Sequence, residues 1–307
     1  MKKIFIALIV TIMLGLYAYV IVNLSNIFAS DEFINMNSKG TLMIKSFTFL
    51  LNDSNITGEN LEFDTTYYPY YGLLDENQKQ VYKQVYANVE ALETTFIPVK
   101  LLTIDEIKEV MQAVYNDHPE FFYLNTSFSY KYTNDKKCLQ IKLEFNELVN
   151  DLEYHKILFE KQAKTIIEDA SKLETDYLKE KYVHDTIIKM VDYDTEATLS
   201  QSAYSALVNN KSVCAGYARA FQYIMIKLGI PTYYVEGITN EGHAWNIVKL
   251  DNIYYNVDLT GGDRRTIIYN FFNISDIEFS YTHTRVGMSK SLPECNGKIY
   301  GYLLRTN

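Results

Sequence analysis

The 307-residue chain is poor in the residues that most often carry special architecture. It has three Cys, five Pro and thirteen Gly. Three Cys are too few for a disulfide scaffold or a four-cysteine zinc site. So little Pro and Gly leaves no room for long low-complexity linkers. Positive charge is also in deficit: 29 Lys and Arg face 38 Asp and Glu, a formal net charge of −9. A chain that binds nucleic acid through phosphate neutralisation needs clustered Lys and Arg, so nucleic acid is not an expected partner. In contrast, 48% of the residues are hydrophobic, which excludes a disordered chain and provides a full-sized core. Tyr is abundant, with 27 copies. Its ring is apolar and its hydroxyl polar, which suits surfaces and cleft walls.

Met1-Lys2-Lys3 precedes an uncharged run from Ile4 to Val22. As a helix this run spans roughly 28 Å, close to the ~30 Å hydrocarbon core of a bilayer. The apolar part of a removable signal is usually shorter. Ala29-Ser30 offers only a poor cleavage site, because Ile27 stands three residues before the cut. The expectation is therefore an uncleaved signal-anchor over residues 1–29, with secretion after cleavage as the alternative. Lys2 and Lys3 hold the start inside and Asp31-Glu32 follow on the far side, so the remainder faces outward.

Residues 30–60 are polar and Asn-rich and read as a linker. Residues 61–148 read as a small α+β domain. Val81, Val85 and Val89 recur at helical spacing, with Tyr82 and Tyr86. Thr103 and Glu106 form a capping box that opens a second helix, which ends before Pro119. Residues 128–132 and 138–145 flank a turn and predict a β-hairpin. Residues 149–307 read as the catalytic domain. Residues 149–190 are helical with a break near 173–176, 200–209 form a short helix, and 215–228 form a helix stopped by Gly229 and Pro231. Three strands follow, at 232–236, 243–250 and 253–260.

Cys214 stands at the start of the 215–228 helix. Partial positive charge and unpaired N–H groups there favour thiolate, the nucleophilic form. A lone Cys is more often a small buried hydrophobe, and that reading is kept for Cys138 in a strand and Cys295 in a tail loop. His243 starts the second strand, as a general base within reach of the helix start. A two-residue Asp251-Asn252 loop would pair Leu250 with Ile253, set Trp245 opposite Asp258 and His243 opposite Thr260. His243 and Asp258 then become diagonal neighbours on one face. Ile253, Tyr255, Val257 and Leu259 form the opposite, core-facing stripe. A thiol, a base and an orienting carboxylate are the parts of covalent acyl transfer. Backbone N–H groups at the helix start would hold the oxyanion, with Gln201 and Gln222 as side-chain candidates. His184, beside Asp185, reads as a packing or capping residue. His118, His155 and His283 show no partner in the sequence. Cys214, His243 and Asp258 could also ligate zinc, but their positions suit nucleophile, base and orienter better, so neither metal nor cofactor is expected.

Three stretches together resemble a known family. They are Ser202-Ala203-Tyr204-Ser205-Ala206-Leu207 through Ser212-Val213-Cys214-Ala215-Gly216-Tyr217-Ala218, then Gly242-His243-Ala244-Trp245-Asn246, then Tyr255-Asn256-Val257-Asp258-Leu259-Thr260. They are similar to the transglutaminase-like superfamily, most closely its bacterial, surface-exposed members. Tyr182-Val183-His184-Asp185 and Asp192-Tyr193-Asp194 fit the preceding helix of that family, and the likeness covers roughly residues 176–280. It implies a papain-like α+β core, helices on an antiparallel sheet, and a Cys214-His243-Asp258 triad. Gly261-Gly262-Asp263 follow where such relatives often carry Trp and acidic residues. The expected function is a membrane-anchored, extracytoplasmic cysteine acyltransferase or peptidase. Its partners would be peptides or proteins of the cell envelope, including cell-wall peptides. The alternative is a binding or scaffold module without strong catalysis.

Overall fold

The computed structural model describes residues 54–261 and 267–305. The expected anchor at 1–29 and most of the expected linker lie outside the described residues. Among the described residues, no helix is long and apolar enough to cross a membrane.

The described chain groups into two compact units. The smaller comprises 54–59, 76–108 and 127–144; the larger comprises 60–75, 109–126 and the described residues from 145 onward. This differs from a single cut between 148 and 149. The interleaving has a local cause inside the larger unit. In α1 (Pro69–Leu73), the Tyr70 hydroxyl donates to the Tyr234 carbonyl at 2.7 Å and sits 2.6 Å from Ser289 Oγ. The Tyr70 and Tyr71 N–H groups donate to the Asp117 carboxylate at 3.2 and 2.8 Å. Tyr70 and Asp117 are fully buried, so these bonds are shielded from water.

In the smaller unit, α2 (Glu76–Glu90) buries Val81, Tyr82, Val85 and Val89, the expected helical stripe. β1 (Thr95–Phe96) joins a three-stranded sheet. The capping box that opens α3 (Ile104–Asp117), whose residues from Glu109 onward belong to the larger unit, is present: the Thr103 N–H donates to Glu106 Oε2 at 2.6 Å and the Glu106 N–H to Thr103 Oγ1 at 3.2 Å. β2 (Leu124–Tyr132) and β3 (Cys138–Phe145) form the expected hairpin, in the sheet order β1-β3-β2.

In the larger unit, α4 (Leu152–Ala170) and α5 (Asp176–Met190) are separated by the expected break. Thr175 ends it by capping α5, its side chain accepting the Leu178 N–H at 3.2 Å. β4 (Asp192–Tyr193) pairs parallel with β5 (Lys211–Ser212), and α6 (Ala203–Leu207) lies between them in sequence. α7 (Cys214–Lys227) packs on β6 (Thr232–Ile238) and β7 (Gly242–Leu250). With β8 (Ile253–Val257), and β9 (Thr284–Arg285) after the short helix α8 (Asp276–Phe279), these form an antiparallel sheet in the order β8-β7-β6-β9. α9 (Ile299–Arg305) ends the described chain. The α+β class with helices packed on an antiparallel sheet is therefore as expected.

The turn that sets the site is short. Leu250 pairs with Ile253, and Asp251 and Asn252 both have positive φ, 49° and 65°. Asn and Asp tolerate this left-handed geometry, which defines the tight turn matching the twist of the strands. The register runs to Asn246 opposite Val257. β8 stops there, shorter than the expected 253–260, and just beyond it the Asp258 N–H, which points away from β7, donates to the Phe271 carbonyl at 2.9 Å.

Candidate active site

Cys214 is the first residue of α7, and Val213 before it provides no side-chain cap. The Gly216 and Tyr217 N–H groups bond to the Val213 carbonyl at 3.0 and 3.2 Å, which leaves the Cys214 and Ala215 N–H groups outside the helical ladder. Orphan donors of this kind make a helix start attractive to negative charge. The turn is pinned from below. The Val213 N–H donates to the Ser200 carbonyl at 3.1 Å, and a Cβ at Gly216 would sit 1.9 Å from Ser212 Oγ and 2.7 Å from the Ser202 carbonyl. Only glycine permits that approach.

His243 lies near the start of β7, and Asp258 just beyond β8. Their side chains meet as the register predicts, with His243 Nε2 3.0 Å from Asp258 Oδ2. The other ring nitrogen, Nδ1, is thereby left for the sulfur of Cys214, which is near enough to the imidazole to favour its protonated form. Burial disfavours a charged ring at His243. The hydrogen bond to Asp258 and the neighbouring Cys214 side chain outweigh it and push the imidazole up to about 10, so it carries a proton at neutral pH.

Asp258 is only 5% exposed, yet every lone-pair direction of its carboxylate is used. Oδ1 accepts the Thr260 N–H at 2.8 Å and the Thr260 hydroxyl at 2.9 Å. Oδ2 takes His243 and, at 3.3 Å, Nε2 of a second imidazole, His283. Burial opposes the charge, but the bonds from His243, His283 and Thr260 hold the carboxyl well below the usual range. His283 is itself buried, stacked on Phe279 with ring centroids 3.8 Å apart, its Nδ1 2.7 Å from the Thr282 hydroxyl.

Residues 164–259 match the family model described as transglutaminase-like superfamily. The chain carries a transglutaminase-like domain. Solved structures resemble it only loosely. A structure described as a TGase is 18% identical, with a TM-score of 0.32 over 54% of this chain and 50% of that one. The periplasmic domain of TgpA from Pseudomonas aeruginosa is 14% identical, with a TM-score of 0.28 over 42% of this chain and 56% of that one. The chain thus spans about half the length of each. No curated protein matches it.

The three expected residues of the transglutaminase-like domain thus converge, and the other sequence candidates divide. Gln222 is not an oxyanion donor: it is fully buried, and its amide donates to the Asn116 carbonyl at 2.8 Å. Gln201 is exposed and lines a cavity whose walls do not include Cys214. Cys138 and Cys295 are buried, and burial pushes both thiols up, Cys138 to about 11. His184 is the packing residue expected, 2.9 Å from Asp185 and against Phe272. His118 and His155, without partners in the sequence, meet Glu120 and the Tyr204 hydroxyl, each at 2.8 Å.

His283 is the residue that sequence reasoning passed over. Its only sequence signal is a His beside a hydroxyl residue in the segment returning to the sheet edge at β9. With His243 and Asp258 it offers one donor atom each within 4.8 Å, a set that suits a borderline metal such as zinc. The same atoms are already joined by hydrogen bonds from both imidazoles to the Asp258 carboxylate, which favour its anion.

Proposed function

We propose that the protein is a cysteine acyl-transfer enzyme acting on carboxamides of peptides or proteins outside the membrane, held there by its N-terminal hydrophobic segment. The observation that carries the reading is the convergence of Cys214, at an uncapped helix start, with the imidazole of His243, which is hydrogen-bonded to Asp258. Cys214 sulfur attacks the carboxamide carbon. The developing oxyanion is received by the Cys214 and Ala215 N–H groups. His243, already protonated, delivers its proton to the departing nitrogen as the C–N bond breaks, leaving a thioester and a free amine or ammonia. Water or an amine then attacks the thioester, giving its proton to the now neutral His243 as the C–S bond breaks and the Cys214 thiolate leaves, which restores the starting imidazolium. Water gives hydrolysis; an amine gives a cross-link. Asp258 fixes the ring so that Nδ1 faces sulfur, and it balances the imidazolium charge throughout.

The test is incubation of the full chain with an envelope extract, then mass spectrometry for cross-linked, cleaved or deamidated peptides. Products that vanish with Cys214→Ala are expected; products unchanged by it defeat the proposal. Iodoacetamide near neutral pH is expected to label Cys214 at least ~10²-fold faster than Cys138 or Cys295, since the latter are buried and held as thiols. Equal labelling of all three would remove the case for a reactive sulfur and favour a binding module.

A further inference from the structure

Behind the turn that carries Cys214, the larger unit contains a cavity of about 310 Å3. One wall is the loop Leu199–Ser202, whose Ser200 carbonyl accepts the N–H of Val213, the residue before Cys214. The floor is aromatic, including Phe121 and Phe122. Arg219, from the second turn of α7, closes the far side.

Arg219 is the unusual group. It is half-buried, and its guanidinium donates to the Tyr115 carbonyl and stacks 4.2 Å from the centroid of Tyr234. Among the described residues it meets no carboxylate in a salt bridge. Tyr234 in turn packs in the small apolar cluster that includes Ala215 and Ala218, with Cys214 against it. Beside Arg219, the side chains of Asn125, Thr126 and Gln201 line the same cavity and make no hydrogen bond to the described protein. A permanently charged guanidinium with no carboxylate partner among the described residues, amides with no hydrogen bond to the described protein and an aromatic floor together match one ligand chemistry. That chemistry is a short peptide bearing a carboxylate: the guanidinium takes the carboxylate, the amides take peptide N–H and C=O groups, and the rings take an apolar side chain.

We infer that this cavity is a peptide subsite selecting a carboxylate, from an acidic side chain or from a chain end. Calling its occupant part of the substrate rests on Cys214 being the reacting sulfur; the binding itself does not.

Binding is therefore read without turnover, in the full chain carrying Cys214→Ala, by isothermal titration with three peptides. These are acetyl-Phe-Ala-Glu-amide, its isostere acetyl-Phe-Ala-Gln-amide, and acetyl-Phe-Ala-Gln with a free carboxyl end. The expected result is at least about tenfold tighter binding for one or both carboxylate peptides than for the amide isostere, as a charge-assisted pair provides. Which of the two it is identifies the source of the carboxylate. The preference should disappear in Arg219→Gln and partly survive in Arg219→Lys. Should Arg219→Gln fail to fold, Asn125→Asp serves instead, because it places a negative charge in the cavity without touching Arg219 and should also abolish the preference. Equal affinity for all three peptides, no binding at millimolar concentration, or a preference that survives both Arg219→Gln and Asn125→Asp overturns the inference. If the preference holds while the envelope incubation yields no Cys214-dependent product, the subsite stands and the enzymatic reading falls. The reverse outcome separates them in the other direction.

Discussion

Asp258 and Glu180 are two carboxylates of the larger unit, both out of water, and they end in opposite charge states. Asp258 accepts four hydrogen bonds, two from imidazoles, and is held well below the usual range. Among the described residues Glu180, in α5, accepts one, from the Asn273 amide at 2.8 Å, and its Oε1 has no partner. Burial pushes it up to about 8, the Asn273 bond opposing only in part. Burial is common to both and cannot explain the difference. Partner number and partner charge decide it. A buried carboxylate works as an orienter only where the fold surrounds it with donors that favour the anion. Glu180, lacking them, is a protonated core residue at neutral pH.

The comparison breaks first at Asp258. Asp258→Asn keeps the shape but removes the charge, so acyl transfer should fall by about 10²–10⁴-fold, the usual worth of positioned acid–base catalysis. NMR titration of His243 should follow the ring down from about 10, because Asp258 then no longer opposes burial and only Cys214 does. A His243 titration unmoved by the change would refute the pairing.

A smaller effect is expected at His283, which acts on the reaction only through Asp258. His283→Phe keeps the stacking on Phe279 but deletes one donor. A loss of roughly tenfold in kcat with KM little changed is expected, about one hydrogen bond to a charged group. The pH profile should shift as Asp258 loses part of its stabilisation, and His283→Gln should restore some of the rate. A loss confined to thermal stability would make His283 purely structural.

The pH dependence of stability sharpens the contrast. His243 is raised in the folded state, so its contribution is fully present below its unfolded value of about 6.5. That contribution is lost as pH rises toward about 10. Glu180 is also raised, but for an acid this means the folded chain binds the extra proton. Stability therefore falls as pH rises from about 4.3 toward about 8. Glu180→Gln should remove that slope and stabilise the protein above pH 8 by on the order of 1–3 kcal/mol. Thermal melts across pH 4 to 10, with each variant beside the parent, read both windows. A Glu180→Gln advantage that does not grow with pH would show that Glu180 ionises without penalty.

The line from Cys214 to Asp258 was legible because it depends on local rules. Asp251-Asn252 specify a two-residue turn, the turn fixes the register, and strand alternation places His243 and Asp258 on one face. The capping box at Thr103 and Glu106 was legible for the same reason, since its four residues carry the whole instruction. His283 was not legible. It reaches Asp258 from 25 residues away, through a return segment with no period and no motif, and a nonlocal pairing of that kind leaves no trace in spacing. Gln222 misled in the opposite way. Its place on α7 resembles that of a donor near Cys214, but helical rotation turns it to the core, where it meets Asn116.

The sequence by itself determined the elements, the turn between β7 and β8, and the set of thiol, imidazole and carboxylate, because propensity, capping and strand alternation act over a few residues. The tertiary structure alone decided that Asp258 has two imidazoles rather than one, that 60–75 and 109–126 group with the larger unit, and that Arg219 faces a cavity with no carboxylate partner among the described residues. Those outcomes depend on which distant segments share a buried volume, and burial sets the energy of every charge inside it.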